Sequence, residues 1–148
     1  MRRLILGAGK HHIKQPGETL CDIRKFPNID VVHNLNITPW PFQSRQYGNV
    51  WAHHLVEHLD NLISFMDEAW RVLTPGGSLS LTTPLAGGDI DLEWADPTHK
   101  RCYRLHSFIN YFSLDGVEKF GYTDKAWNFH TTRVINNVIE IHAYPVKL

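Results

Sequence analysis

Histidines and carboxylates crowd two short stretches of this sequence. The first is His53-His54-Leu55-Val56-Glu57-His58 and the second is Asp96-Pro97-Thr98-His99-Lys100-Arg101. Imidazole titrates near neutral pH, so a histidine set beside a carboxylate suits proton transfer. His54 and His99 are the candidate bases, His54 for its position at a strand end and His99 for its polar surroundings. Glu57, His58 and Asp96 stand behind them. Ordinary structure explains part of the pattern. Glu57 and His58 can open a helix, where a glutamate complements the dipole, and Asp96-Pro97 can make a capped turn that leaves His99 bonded to backbone.

The segment His54-x-x-Glu57-His58 also matches the inverted zinc-peptidase pattern, which makes a zinc hydrolase the sharpest rival reading. Zinc needs two histidines on one helical face and a third ligand, a role open to Asp96 or His99. Here the motif starts at a strand end, so the main expectation carries no metal. Two further positions suit ligand binding. Gly7-Ala8-Gly9 follows the apolar run Arg3 to Leu6, where glycine lets backbone approach a ligand closely. Asp22 ends the run Thr19 to Ile23 with a carboxylate.

These residues need elements to hold them. Val50 to Ala52 reads as a strand and Asp60 as a helix cap. Leu62, Met66, Ala69, Trp70 and Leu73 recur at helical spacing and form one apolar face. Pro75-Gly76-Gly77 stops that helix, and Leu79 to Thr82 is the next strand, so the segment 47–84 is a βαβ unit. Arg3 to Leu6, Thr19 to Ile23 and Ile29 to Val32 are three earlier strands. Pro39-Trp40-Pro41-Phe42 is a rigid aromatic loop, 85–93 is a loop, and Ser107 to Phe112 is a short helix with an aromatic face. Trp127 to Ile135 and Val138 to Tyr144 flank Asn136-Asn137, a hairpin signal because asparagine accepts positive φ.

The early crossovers, Lys10 to Glu18 and Arg24 to Asp30, are too short for full helices. A parallel sheet is normally covered on both faces. Cover is therefore expected from the tail, from the Trp40/Phe42 loop or from a second subunit, and a homo-oligomer is predicted. At 148 residues the chain reads as one domain, 1–148. Lys plus Arg and Asp plus Glu are 15 each, so bulk charge favours neither membrane nor nucleic acid. Lys100, Arg101 and Arg104 with Tyr103 keep nucleic acid open as a partner. Met1-Arg2-Arg3 before Leu4-Ile5-Leu6 mimics a signal peptide, but its apolar run is too short. No apolar stretch is long enough to span a bilayer. Two cysteines without a CxxC pair point to a cytoplasmic setting.

Taken together, LILGAG, LCDI, DVVHNLN, WAHHLVEHL, FMDEAWRVLTPGGSLSLTTP and DPTHKR before an aromatic helix resemble the class I S-adenosylmethionine-dependent methyltransferases. The likeness is best to a small bacterial and phage branch with short early crossovers, and it runs from about Leu4 to Phe112. It implies a minimal Rossmann-like α/β fold with a mostly parallel seven-stranded sheet and an antiparallel C-terminal hairpin. The implied cofactor is S-adenosylmethionine and the implied reaction is methyl transfer to an unknown acceptor; a non-catalytic relative that binds cofactor or a partner is the alternative. Carried over, Gly7, Ala8 and Gly9 lie against the amino-acid part of the cofactor and Asp22 takes its ribose hydroxyls. Asn34 and Leu35 read adenine, Asn34 through its amide carbonyl. His53 and His54 sit beside the sulfonium and the acceptor. Three features depart from the family pattern: His11 replaces a glycine, Asn34 replaces an aspartate, and the helix after the first strand is missing.

Overall fold

The computed structural model describes residues 1–89 and 91–147. In chain order the elements are β1 (Arg3–Leu6), β2 (Glu18–Asp22), β3 (Val31–Val32), β4 (Tyr47–His53), α1 (Leu62–Val72) and β5 (Leu73–Pro84). They continue with α2 (Leu92–Ala95), α3 (His106–Phe112), α4 (Leu114–Phe120), β6 (Trp127–Ile135) and β7 (Val138–Pro145). The strands form one seven-stranded sheet in the order β3-β2-β1-β4-β5-β7-β6. The first five are parallel, and β7 runs antiparallel to both β5 and β6. This is the Rossmann-like sheet with a C-terminal hairpin that the sequence predicts. Asn136 and Asn137 take φ of 49° and 62°, the backbone that a tight two-residue hairpin turn requires.

One face of the sheet carries the core. Leu4, Leu6, Val50, Ala52, Leu79, Leu81, Ile139, Ile141 and Ala143 are all buried in a single cluster with Phe65, Met66, Ala69 and Val72 of α1 and Phe108 and Phe112 of α3. The alternate residues of β4, β5 and β7 are Asn49, Trp51, His53, Ser80, Thr82, Glu140, His142 and Tyr144, and they face the other way. This period-2 pattern is that of a sheet wetted on one side, although the strands at its centre are parallel.

The missing crossover helices therefore leave no apolar face bare over β4, β5 and β7. The premise that a second subunit must cover this part of the sheet does not hold. Trp40 and Phe42 do provide cover, but on the helical side. Trp40 packs 5.6 Å from Phe65 and Phe42 lies 5.7 Å from Tyr47, ring centre to ring centre. Glu68 on α1 fastens that loop: one carboxylate oxygen accepts from the Trp40 N–H at 2.6 Å and both accept from Arg71 at 2.7 Å. At the β1–β2 end, Ile5 and Leu20 face away from the helices and are still buried. We attribute this to the two short crossovers, which Lys14–Asp30 and the Asn28 side chain tie together.

Several local expectations change. Helix α1 is capped by Asn61, whose side chain accepts from Ser64 N–H, while Asp60 accepts from Lys100. The helix ends at Val72, and Leu73 already pairs with Tyr47, so β5 begins before Pro75-Gly76-Gly77. Thr74 precedes a proline, which disfavours helical backbone there. β3 shrinks to Val31–Val32 because Ile29 closes a turn on Phe26. The segment 85–93 contains a short helical turn at its end, and Ile90 lies outside the described residues.

Candidate active site

The carboxyl ends of β1 to β4 and the loop before α3 enclose a cleft of about 760 Å³. It opens where β1 lies between β2 and β4, at the point where the strand order reverses; ligands of open α/β sheets bind there. β1 ends at Leu6 and the chain turns at Gly7, with φ +66°. A Cβ on Gly7 would lie 3.1 Å from Leu55 Cδ1, so both backbone angle and space call for glycine. The turn is then tied to β2. Ala8 N–H donates to the Cys21 carbonyl at 3.2 Å and Gly9 N–H donates to Asp22 Oδ2 at 2.9 Å. The other Asp22 oxygen accepts from Arg24 N–H, also at 2.9 Å. Asp22 is only 6% exposed yet lines the cleft. The Asn28 side chain bonds Gly9 and His12 carbonyls and closes the loop that stands where a helix was missing from the sequence.

Asn34 and Leu35 follow β3 and both line the cleft. Asn34 Oδ1 already accepts from Asn36 N–H at 3.0 Å, which leaves its second lone pair and the NH₂ to serve a ligand. Leu35 is held from behind by Trp40, whose indole N–H donates to the Leu35 carbonyl.

The end of β4 sends its two histidines opposite ways. His53 continues the strand alternation with Trp51 and stacks on it at 5.0 Å. It lines a second hollow of about 390 Å³ on the helix-free face, with Ser80, Glu140 and His142. His53 is thus separated from the cleft to which the sequence assigned it. His54 takes positive φ, turns the chain and lines the cleft. Its Nδ1 lies 3.4 Å from Glu57 Oε1. The Glu57 carboxylate holds the His54 imidazolium above its ordinary pKa against the opposing effect of burial. Burial, helped by nearby His54, pushes His53 below its ordinary value.

Glu57 sits on a 3₁₀ turn, Val56–His58, and is 1% exposed. Its Oε2 accepts from Thr83 at 3.0 Å and its carbonyl accepts from Lys100 and Arg101 N–H. These backbone bonds bring the second polar stretch against the first. Asp96, Thr98, Lys100 and His58 line one wall of the cleft. His99 does not line it: its side chain is 7% exposed, lies behind His58 and faces Glu57 Oε1 at 4.0 Å. A helix with two histidines one turn apart is absent from this segment, since His54 lies outside the 3₁₀ turn. The zinc-peptidase arrangement is therefore not built.

The cleft fits a nucleoside cofactor. Asp22 keeps one free lone pair on each oxygen after its two backbone bonds, enough for two vicinal hydroxyls. A Cβ placed on Gly9 meets nothing within 4 Å, so the glycine turn borders open space.

Residues 9–81 match the family model described as "Methyltransferase domain". Over that segment, just under half of its length, the chain resembles a methyltransferase domain. Among solved structures, it is similar to a SAM-dependent methyltransferase from Archaeoglobus fulgidus, with 16% identity and a TM-score of 0.66, covering 97% of this chain and 86% of that one. It is also similar to one from Mesorhizobium loti, with 10% identity and a TM-score of 0.67, over 97% and 90%. A methyltransferase of Haloferax volcanii, solved in complex with its Trm112 activator, shows 10% identity and a TM-score of 0.68, over 97% and 81%. At these identities the likeness concerns the fold. Among curated proteins none matches. The family match stops at Leu81, so the wall formed by Asp96, Thr98 and Lys100 lies outside it.

Of the sequence-predicted site residues, Gly7, Asp22, Asn34, Leu35 and His54 line one cleft, Ala8 and Gly9 shape its turn, and His53 and His99 face elsewhere. Ile23, Arg24, His33, Asn36, Leu55 and Leu59 also line it and were not picked out. Ile23 carried a readable signal, an apolar residue placed directly after a strand-end aspartate. It is 62% exposed.

Proposed function

We propose that the chain binds S-adenosylmethionine along the ends of β1, β2 and β3 and methylates an acceptor held between His54 and the Asp96-Thr98 wall. The bound cofactor supplies an electrophilic methyl group on a sulfonium. Asp22 accepts from the ribose hydroxyls, the Gly7–Gly9 turn borders the amino-acid part, and Ile23 and Leu35 offer apolar sides to the adenine. Asn34 addresses a ring nitrogen through its NH₂. His54 takes the proton of the acceptor nucleophile, and the cleft contributes chiefly proximity and orientation. The observation that carries this reading is the buried Asp22 carboxylate opening onto the cleft at the switch point.

Binding without turnover is the second reading. It is favoured by the segment 10–17, which contains no helix and so presents no helix N-terminus to the cofactor. No described helix is long and apolar enough to cross a membrane. A cytoplasmic setting is proposed, in keeping with the free thiols of Cys21 and Cys102.

Transfer of a radiolabelled methyl group into candidate acceptors tests the proposal. His54→Gln is expected to slow transfer by about 10²-fold or more while cofactor affinity is kept. An undiminished rate in that variant would place the base elsewhere. Cofactor binding with no transfer to any acceptor would favour the second reading.

A further inference from the structure

Glu57 presents an anomaly. Its carboxylate is almost wholly buried, Thr83 satisfies Oε2, and Oε1 has no hydrogen-bond partner. A buried carboxylate oxygen without a partner is costly. The groups nearest to Oε1 are imidazole nitrogens, His54 Nδ1 at 3.4 Å and His99 Nε2 at 4.0 Å.

The hydrogen bonds around the cluster determine which nitrogens carry protons. His99 Nδ1 lies 2.8 Å from the Glu93 carbonyl, which can only accept, so Nδ1 bears the proton and Nε2 keeps its lone pair. The Thr98 hydroxyl has one proton, which goes to Asp96 Oδ1 at 2.7 Å. His58 Nδ1, 3.0 Å from the same hydroxyl, must then be a donor, and its Nε2 keeps a lone pair too. Each ring is oriented by an acceptor on its far nitrogen, which is how proteins fix metal-ligating histidines. Glu57, His58 and His99 each offer one ligand atom, and these atoms lie within 4.8 Å of one another, the one such cluster among the described residues.

We propose that Glu57, His58 and His99 form a binding site for a divalent first-row transition metal, at the wall of the cleft beside His54. Two imidazoles and one carboxylate are the donor set of open, catalytic metal sites, whereas magnesium prefers oxygen. Ligand atoms of a tetrahedral zinc ion are about 3.3 Å apart, so the three side chains need to close by roughly 1.5 Å at most. Asp96 Oδ2, also 4.0 Å from His99 Nε2, borders the cleft side of the cluster. A three-ligand ion leaves a position for an oxygen of the acceptor or a water. That role rests on the methyl-transfer reading; the binding itself does not.

The test is titration of chelator-stripped, full-length protein with Co²⁺ and with Zn²⁺ in the absence of cofactor, read by calorimetry and by visible cobalt absorption. One ion per chain is expected, with affinity lowered at least about 10–100-fold in His58→Ala and His99→Ala. Thr98→Val, an exposed change that removes the hydroxyl shared by His58 Nδ1 and Asp96, is expected to weaken binding within that range and serves if the histidine variants fail to fold. His142→Ala, at the second hollow, is expected to leave binding unchanged. No metal binding by natively folded protein would overturn the proposal. So would binding indifferent to His58, His99 and Thr98, which would place the ion at other histidines.

Discussion

Asp22→Asn examines the cofactor site with the least change of shape. The substitution removes a charge and converts one carboxylate oxygen to NH₂. In the native chain each oxygen accepts one backbone N–H at 2.9 Å, Gly9 on Oδ2 and Arg24 on Oδ1. Asparagine can serve only one of them, and its NH₂ then opposes the other N–H. The folded protein should lose about 1–2 kcal/mol for the orphaned donor, visible as a lower melting temperature without ligand. The ribose loses an acceptor as well. A hydrogen bond to a charged group contributes about 1.5–3 kcal/mol, so affinity should fall about 10- to 150-fold. Calorimetric titration of both proteins with S-adenosylhomocysteine measures this, with thermal melts run alongside to separate folding from binding. An unchanged dissociation constant in a folded Asp22→Asn variant would refute the reasoning and place the ribose elsewhere.

Two further outcomes follow from the structure. Burial pushes the Glu68 carboxyl up, but the bonds from Arg71 and Trp40 together hold it below its ordinary value. A depressed folded pKa means stability present above the ordinary carboxylate range and lost as pH falls through the folded value. Glu68→Gln should therefore flatten the pH dependence of urea midpoints between neutral and acid pH. Its cost at pH 7 should be about 2–4 kcal/mol, below that of a fully buried pair because the Arg71 side chain is 25% exposed. A variant as stable and as pH-dependent as the native chain would show that the Trp40 loop is held by packing alone. Burial also raises the Cys21 thiol to about 12, while Cys102 is exposed. A thiol reagent at pH 8 should label Cys102 quickly and Cys21 only on unfolding. Rapid labelling of both would mean that the β2 region opens readily.

The sheet was legible because β4, β5 and β7 alternate with period 2, β1 and β2 read as short apolar runs, and the turns between strands carry their own chemistry. The hairpin is the clearest case, with Asn136-Asn137 between two β-rich runs. α1 was legible from Met66 and Ala69, but its cap was misread by one residue because aspartate and asparagine cap equally well and both are present. α4 escaped notice: Gly116 at its first turn reads as a breaker, yet a Cβ there would meet the Asn110 carbonyl at 2.2 Å, so packing against α3 demands the glycine. In the site, Gly7, Asp22, Asn34 and Leu35 could be placed because strand ends converge in this topology. His53 and His54 could not be told apart, since the left-handed turn at His54 decides which one enters the cleft. His99 stands out in the sequence for its polar neighbours, and its burial beside Glu57 depends on backbone bonds from Lys100 and Arg101 to the distant Glu57 carbonyl, which no local pattern reports. The expected second subunit came from counting helices rather than reading faces; Ser80, Thr82, Glu140 and His142 already marked that face as polar.

The central claim is that this cleft holds S-adenosylmethionine despite the short loop that stands in place of the first crossover helix. Titration of the unaltered, natively folded protein with S-adenosylmethionine tests it most directly. One site per chain with a roughly micromolar dissociation constant is predicted, the range of −8 kcal/mol that a nucleoside cofactor in an enclosed cleft attains. A titration without heat up to millimolar cofactor, confirmed by an unchanged melting temperature, would contradict it.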